Sequence, residues 1–195
     1  MAISKTELEQ AVKKGQIFDK VDFSKSDFSN IQLGGAIFND CSFNECKMTS
    51  GYFEQVNFIN CQFEKADLAN STWIECNLTT PNLTQASLKG SQLPAVNLTE
   101  GQLNKADFTD CDLKEANIIS PVARQAIFNG ADLEFASFTE GDLTSAEFNR
   151  SNLHRTNFIE CLLEYCLFRE ANMHHVIFEK PVLEKQDFSD MNLSM

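Results

Sequence analysis

Thirty-five of the thirty-six residues found at every fifth position from Phe18 to Leu193 are large and apolar. The residue is Phe, Leu, Met, Ile or Trp, with Ala123 as the exception, and no insertion or deletion breaks the frame over residues 16–195. A repeat this short decides the architecture before any other property of the chain. An α-helix cannot use it, because its apolar stripe returns every 3.6 residues. A plain strand alternates with a period of two and falls out of phase with five.

Two residues before each large side chain runs a second series that is small almost throughout, as at Cys41, Cys46, Val56, Cys61, Ala66, Ser71 and Ala171. Two alternating inward positions make a short extended piece, and two polar residues make a bend. A chain that turns a corner every five residues can stack its coils roughly 4.8 Å apart and hydrogen-bond each to the next. No coil buries its apolar side alone, so stability comes from stacking.

The units Ala66-Asp67-Leu68, Ala106-Asp107-Phe108, Ala116-Asn117-Ile118, Ala131-Asp132-Leu133 and Ala171-Asn172-Met173 carry a resemblance. The sequence resembles the pentapeptide-repeat family, whose pattern is A-(D/N)-L-x-x, over residues 16–195. The resemblance implies an all-β, right-handed quadrilateral β-helix with four units per coil. Thirty-six units then make about nine coils, a rod roughly 43 Å tall.

Residues 1–15 form a separate N-terminal segment ahead of the repeat at 16–195, with a short capping helix expected over 3–15. Ser4 suits the N-cap and Glu7 its reciprocal partner, with Ile3 and Leu8 placed as a hydrophobic staple. Lys13, Lys14 and Gly15 suit the end. Such a helix covers the open edge of the first coil, as stacked repeats require. The repeat runs to Met195, and the C-terminal dimerisation helix of many family members has no counterpart here, so the last coil is expected to leave an open edge.

The formal net charge of −12 argues against direct binding to nucleic acid or to an anionic membrane. No apolar run is long enough for a transmembrane helix, and the N-terminus lacks a signal-peptide layout. All seven cysteines occupy the small inward position, where they act as small hydrophobes. Metal-site spacings such as C-x₂-C are absent, and an odd set of buried thiols suits a reducing cytoplasm. No metal or other cofactor is expected.

With four units per coil, residues twenty apart stack, and the outward positions sort into columns. Asp107, Asp110, Asp112, Glu115, Asp132 and Glu134 form the densest acidic group, interrupted by Lys114. They are either a solvated face or a surface that imitates the phosphates of a duplex. His154, His174 and His175 share one wall with Arg155, and no carboxylate is obvious among them, so a solvated polar patch is expected. Val122, Ile127, Leu162, Leu167, Ile177 and Val182 break the polar rule at the position before the large residue, with Tyr165 beside Leu162. Exposed apolar residues of this kind suggest a contact patch for a partner or for a second copy of the chain. Asn57, Asn77, Asn97 and Asn117 can form a hydrogen-bonded ladder. Pro121 and the small Ala123 predict a local kink or void in residues 121–125.

No nucleophile–base pair, paired carboxylates or phosphate-binding glycine loop emerges, and a filled rod offers no concave site, so the chain is not expected to be an enzyme. Two functions stay open. One is a protein-interaction scaffold that uses the apolar patch for affinity and charge for selectivity. The other follows from similarity to the Qnr and MfpA group within the family. That similarity implies an acidic DNA mimic that binds DNA gyrase or topoisomerase IV, both type II topoisomerases, and modulates quinolone susceptibility. The loops that interrupt the repeats in most Qnr proteins are absent here.

Overall fold

The computed structural model describes residues 3–183, which climb as a parallel β-solenoid with four walls. Phe18 pairs with Phe38 and Leu33 with Phe53, while Asp22 and Asp27 bridge Ser42 and Lys47. Every pairing spans twenty residues, so four units close one turn. Residues 16–175 make eight turns and a ninth begins at Val176. The remainder of the expected nine coils, with its open edge, lies outside the described residues.

The first wall holds residues 16–20 and their equivalents twenty apart. It is a sheet of nine three-residue strands, from Ile17–Asp19 to Ile177–Glu179. The fourth wall, starting at 31–35, opens with the strands Gln32–Gly34, Tyr52–Glu54 and Thr72–Ile74, and continues as single-residue bridges. The second and third walls bridge at one residue per coil. The ladder uses both backbone groups: Phe23 N donates to Ser42 O at 2.7 Å, and Ser42 N donates to Val21 O at 3.0 Å.

The fifth residue of every described unit turns the corner in the left-handed conformation. Thirty of these residues are not glycine, and their φ runs from 46° to 62°. An L-residue gives up about 1–2 kcal/mol to sit there. The ladder holds it in place: Lys25 N, for example, donates to Asn44 O at 2.9 Å. The chain therefore spends stacking energy at each corner on backbone strain.

The corners are of two kinds. On entering the third wall, the first residue of the unit donates back across the turn, as Ser26 N does to Phe23 O and Ala66 N to Phe63 O. On entering the second wall, no such bond is donated among the described residues. Proline costs no donor at that point, and Pro81, Pro121 and Pro181 all stand there. The residues before them, Thr80, Ser120 and Lys180, have the three lowest positive φ values, 46–48°. The kink expected at residues 121–125 is therefore not found. Val122 N reaches Gly101 O at 2.9 Å and Ala123 N reaches Asp142 O at 2.8 Å, so the ladder runs through. Between residues 81 and 141 glycine alternates with proline in this column. A Cβ on Gly141 would lie 2.8 Å from Cγ of Pro121.

The large apolar residues fill the interior. Phe18, Phe38 and Phe58 stack at 5.0 and 5.2 Å, and Phe38 meets Phe43 edge-on at 5.2 Å. A second aromatic block follows an aliphatic belt running from Leu78 to Leu103, with Phe108, Phe128, Phe148 and Phe168 stacked in the third wall. Offset rings at these separations gain beyond their area. Buried polar groups at the small positions are satisfied: Trp73 Nε1 donates to Ser71 Oγ at 2.7 Å, and Thr156 Oγ1 to Leu133 O at 2.8 Å.

Helix α1, Lys5–Lys13, precedes the first coil. It is shorter than the expected 3–15 because Ser4 is its N-cap and Lys14 its C-cap. The capping box forms, with Ser4 N donating to Glu7 Oε2 at 2.8 Å and Glu7 N to Ser4 Oγ at 3.3 Å. Leu8 and Val12 are buried, and Ile3 packs beside them against the core. Two polar contacts bind the helix to the first coil: Lys5 Nζ donates to Ser29 O, and Gln32 N donates to Glu9 Oε1, both at 3.0 Å. The Gln32 amide is an edge donor that no lower coil could receive.

Candidate interaction surface

Function must reside on the outside, since the interior is committed to packing. Among the described residues the surface includes shallow clefts. One of about 240 Å³ lies between α1 and the fourth wall, over Leu33 and Tyr52. Another, about 350 Å³, lies over Lys105, Arg124 and Thr144. Among the described residues, no three His, Cys, Asp or Glu side chains converge to hold a metal ion. All seven cysteines are buried thiols outside any disulfide. Burial pushes Cys46 and Cys76 up to about 11, and Cys111 and Cys166 up to about 12. These are inert thiols. They also bond: Cys46 Sγ donates to Phe23 O at 2.9 Å and Cys111 Sγ to Leu88 O at 3.0 Å. The sequence reading treated them as packing alone.

The acidic residues fall where the twenty-residue register places them. Asp107 and Asp110 lie on the third wall, and Asp112, Glu115, Asp132 and Glu134 on the fourth. Four of the six are tied into the fold. Asp107 and Asp112 accept from the backbone N of Thr109 and Lys114. Asp132 holds Lys114 Nζ at 3.0 Å and Asn152 Nδ2 at 2.9 Å, and this pairing pushes the Lys114 ammonium above its ordinary value. Glu134 Oε1 lies 2.9 Å from His154 Nδ1. Asp110 and Glu115 are exposed, and a side chain on Gly130 would run into the Asp110 carboxylate, which leans over that glycine.

The apolar residues do not form one patch. In the second wall Val122, Asp142, Leu162 and Val182 bridge in that order, and in the third Ile127, Glu147 and Leu167 follow suit. Arg124 Nε binds Asp142 Oδ2 at 2.6 Å, and Asn129 Nδ2 binds Glu147 Oε2 at 2.7 Å. Burial raises the Asp142 carboxyl, but hydrogen bonds from Thr144 and Arg124 outweigh it and hold the group below the ordinary value. This polar belt leaves Val122 and Ile127, half-buried, on one side. On the other lie Leu162, Tyr165 and Val182, which are 39%, 48% and 38% exposed, together with half-buried Leu167.

Two further features correct or extend the sequence reading. A carboxylate does stand beside the histidines: Glu134 lies one coil below His154. At the corner column of the fourth wall, Phe135 is 46% exposed with φ of 60°. The Arg155 guanidinium lies over its ring at 5.4 Å, and His154 stands 6.1 Å from Phe135 and 5.8 Å from His175. Phe135 escaped notice because apolar exceptions were sought at the position before the large residue, and Tyr165 entered only as a neighbour of Leu162. Comparing residues twenty apart would have shown Phe135 next to Arg155. The asparagine ladder forms in part, with Asn77 bonded to Asn57 at 3.0 Å and Asn117 to Asn97 at 3.3 Å.

This is a rod with a packed interior and a surface patterned in columns, which defines the class of stacked-repeat proteins. The family profile described as Pentapeptide repeat region matches residues 16–93, 48–135 and 131–195, and the chain belongs to the pentapeptide-repeat family. No curated protein sequence matches it significantly. Among solved structures, it is similar to HetL, a pentapeptide repeat protein involved in heterocyst differentiation regulation from the cyanobacterium Nostoc sp. strain PCC 7120. The identity is 18%, covering 94% of this chain and 95% of HetL, with a TM-score of 0.37. It is also similar to trypsin-treated QnrB1, a plasmid-mediated fluoroquinolone resistance protein. There the identity is 17%, the coverage 85% and 91%, and the TM-score 0.44. No helix among the described residues is long and apolar enough to cross a membrane.

Proposed function

We propose that the protein is a non-enzymatic interaction rod that binds a protein partner through the upper part of its second wall. The observation that carries this reading is the exposed cluster of Leu162, Tyr165 and Val182 in adjacent coils, where the repeat otherwise places polar side chains. Apolar side chains gathered at one spot supply affinity, and the Arg124–Asp142 pair beside them supplies selectivity. Seven buried thiols without a disulfide support a reducing compartment, and we assign the protein to the cytoplasm.

Immobilised wild-type protein and the Leu162→Glu variant, exposed to cell extract across a range of salt, test the reading. Proteins retained by the wild type at both low and high salt, and lost from the variant, support it. Retention that ignores the substitution overturns it.

A second reading, the acidic mimic of duplex DNA, is favoured by one observation. Asp110 and Glu115 are exposed in the same coil, on either side of the stretch that carries Asp112. A DNA gyrase supercoiling assay, with and without a fluoroquinolone, decides it. Inhibition or drug protection that disappears with Asp110→Lys and Glu115→Lys supports the mimic. An unaffected gyrase and topoisomerase IV reject it.

A further inference from the structure

The fourth wall changes sign along its length. Its exposed corner column runs Glu115, Phe135, Arg155, His175, one residue per coil. From the coil of Phe135 downward the wall carries Glu54, Glu75, Asp112, Glu115, Asp132 and Glu134 against a single Lys114. Above it, among the described residues, the wall carries Arg155 and three histidines and no carboxylate.

We infer that this wall is self-complementary and that its partner is a second copy of the chain, docked face to face and antiparallel. Consider a two-fold axis midway between the two facing walls and parallel to them, along the strand direction, at the height between the coils of Phe135 and Arg155. It reverses the order of coils but keeps each column opposite itself. Glu115 then faces His175 of the second copy, and Phe135 faces Arg155. Both pairings occur twice, as an isologous contact requires. The Phe135–Arg155 stack already present within one chain shows that the two side chains suit each other. The exposed ring lies half a coil from the axis, and the Glu115–His175 pair lies outside it. That is the usual order of an interface, with an aromatic centre and a charged rim.

One wall of a few coils offers much less than the roughly 800 Å² per partner of a standard interface. The dimer is therefore weak and reversible. The contact is separate from the Leu162 cluster, and its failure leaves that reading intact. It does cover Glu115, so dimer and DNA-mimic surface compete.

Sedimentation equilibrium of the full chain, from about 10 μM to about 1 mM and at two salt concentrations, tests the inference. A monomer–dimer equilibrium that weakens with salt is expected. Glu115→Arg alone, which removes the carboxylate facing His175, and His175→Glu alone, which sets two carboxylates opposite one another, each weaken it about tenfold or more. Mixing the two variants restores association. The new guanidinium at position 115 of one copy then faces the new carboxylate at position 175 of the other, while the native pair survives on the opposite side. Phe135→Ser weakens the dimer without changing its salt dependence. A monomer at every concentration overturns the inference, and so does a dimer that tolerates both charge reversals. Circular dichroism and thermal melts of each variant separate loss of contact from loss of fold.

Discussion

The corner that enters the second wall and the corner that enters the third are made from the same five-residue unit, yet only the latter closes with a hydrogen bond of its own. Ala86 N donates to Leu83 O at 2.9 Å, whereas the equivalent position one unit earlier is occupied by Pro81, which has no donor. Both corners are equally regular, and both place a left-handed residue at their apex. The local turn bond is thus an addition to a geometry that stacking already imposes.

The comparison can be broken most severely by moving proline from one corner to the other. Ala86→Pro removes the turn donor and should cost about 2–3 kcal/mol. Cys41→Pro, at the corner that donates nothing, should cost about 1 kcal/mol or less, mainly the thiol contacts to Asn39 O and Phe18 O. Urea unfolding of both variants is the check, and equal losses would erase the distinction. A smaller effect sharpens it. Gly141→Ala drives a methyl into the Pro121 ring and should cost about 1–3 kcal/mol. Adding Pro121→Ala should recover most of that loss in a double-mutant cycle. The smallest effect has the opposite sign. Thr80 is β-branched and left-handed, with φ of 48°, so Thr80→Gly should stabilise by about 0.5–1 kcal/mol in the same measurement.

The period of five made the packed interior legible in full, because Phe18, Phe23 and their successors have no alternative place to go. The Ser4–Glu7 capping box was legible for a similar reason, since two side chains at a fixed spacing satisfy two specific donors. The left-handed corners were not. Lys20, Glu45, Thr80 and Phe135 share no composition that announces φ > 0, and the ladder supplied by neighbouring coils imposes it. Pro121 misled as a kink because its cost depends on whether the replaced N–H has an acceptor, which the sequence does not record.

The surface was legible column by column and obscure in its pairings. Asp132 and Glu134 were rightly placed on one wall. Lys114 and His154, which occupy them, stand one coil away, at a distance of about twenty in sequence. Charge counted along the chain overstates how much of it is free.

The shared shape of all units has a consequence for how such a chain can change. An added five residues at any corner would be absorbed by the interior, since one large apolar residue replaces another at the same station. Everything above the insertion would turn by a quarter of a revolution. With the insertion between the coils of Phe135 and Arg155, Arg155 would leave the column of Glu115 and its stack on Phe135, and Leu162 would leave the wall of Pro121, while contacts among the shifted coils would be kept. The interior counts in fives and the exterior counts in twenties. A lineage of such rods can therefore rewrite which side chains share a face without inventing a new core.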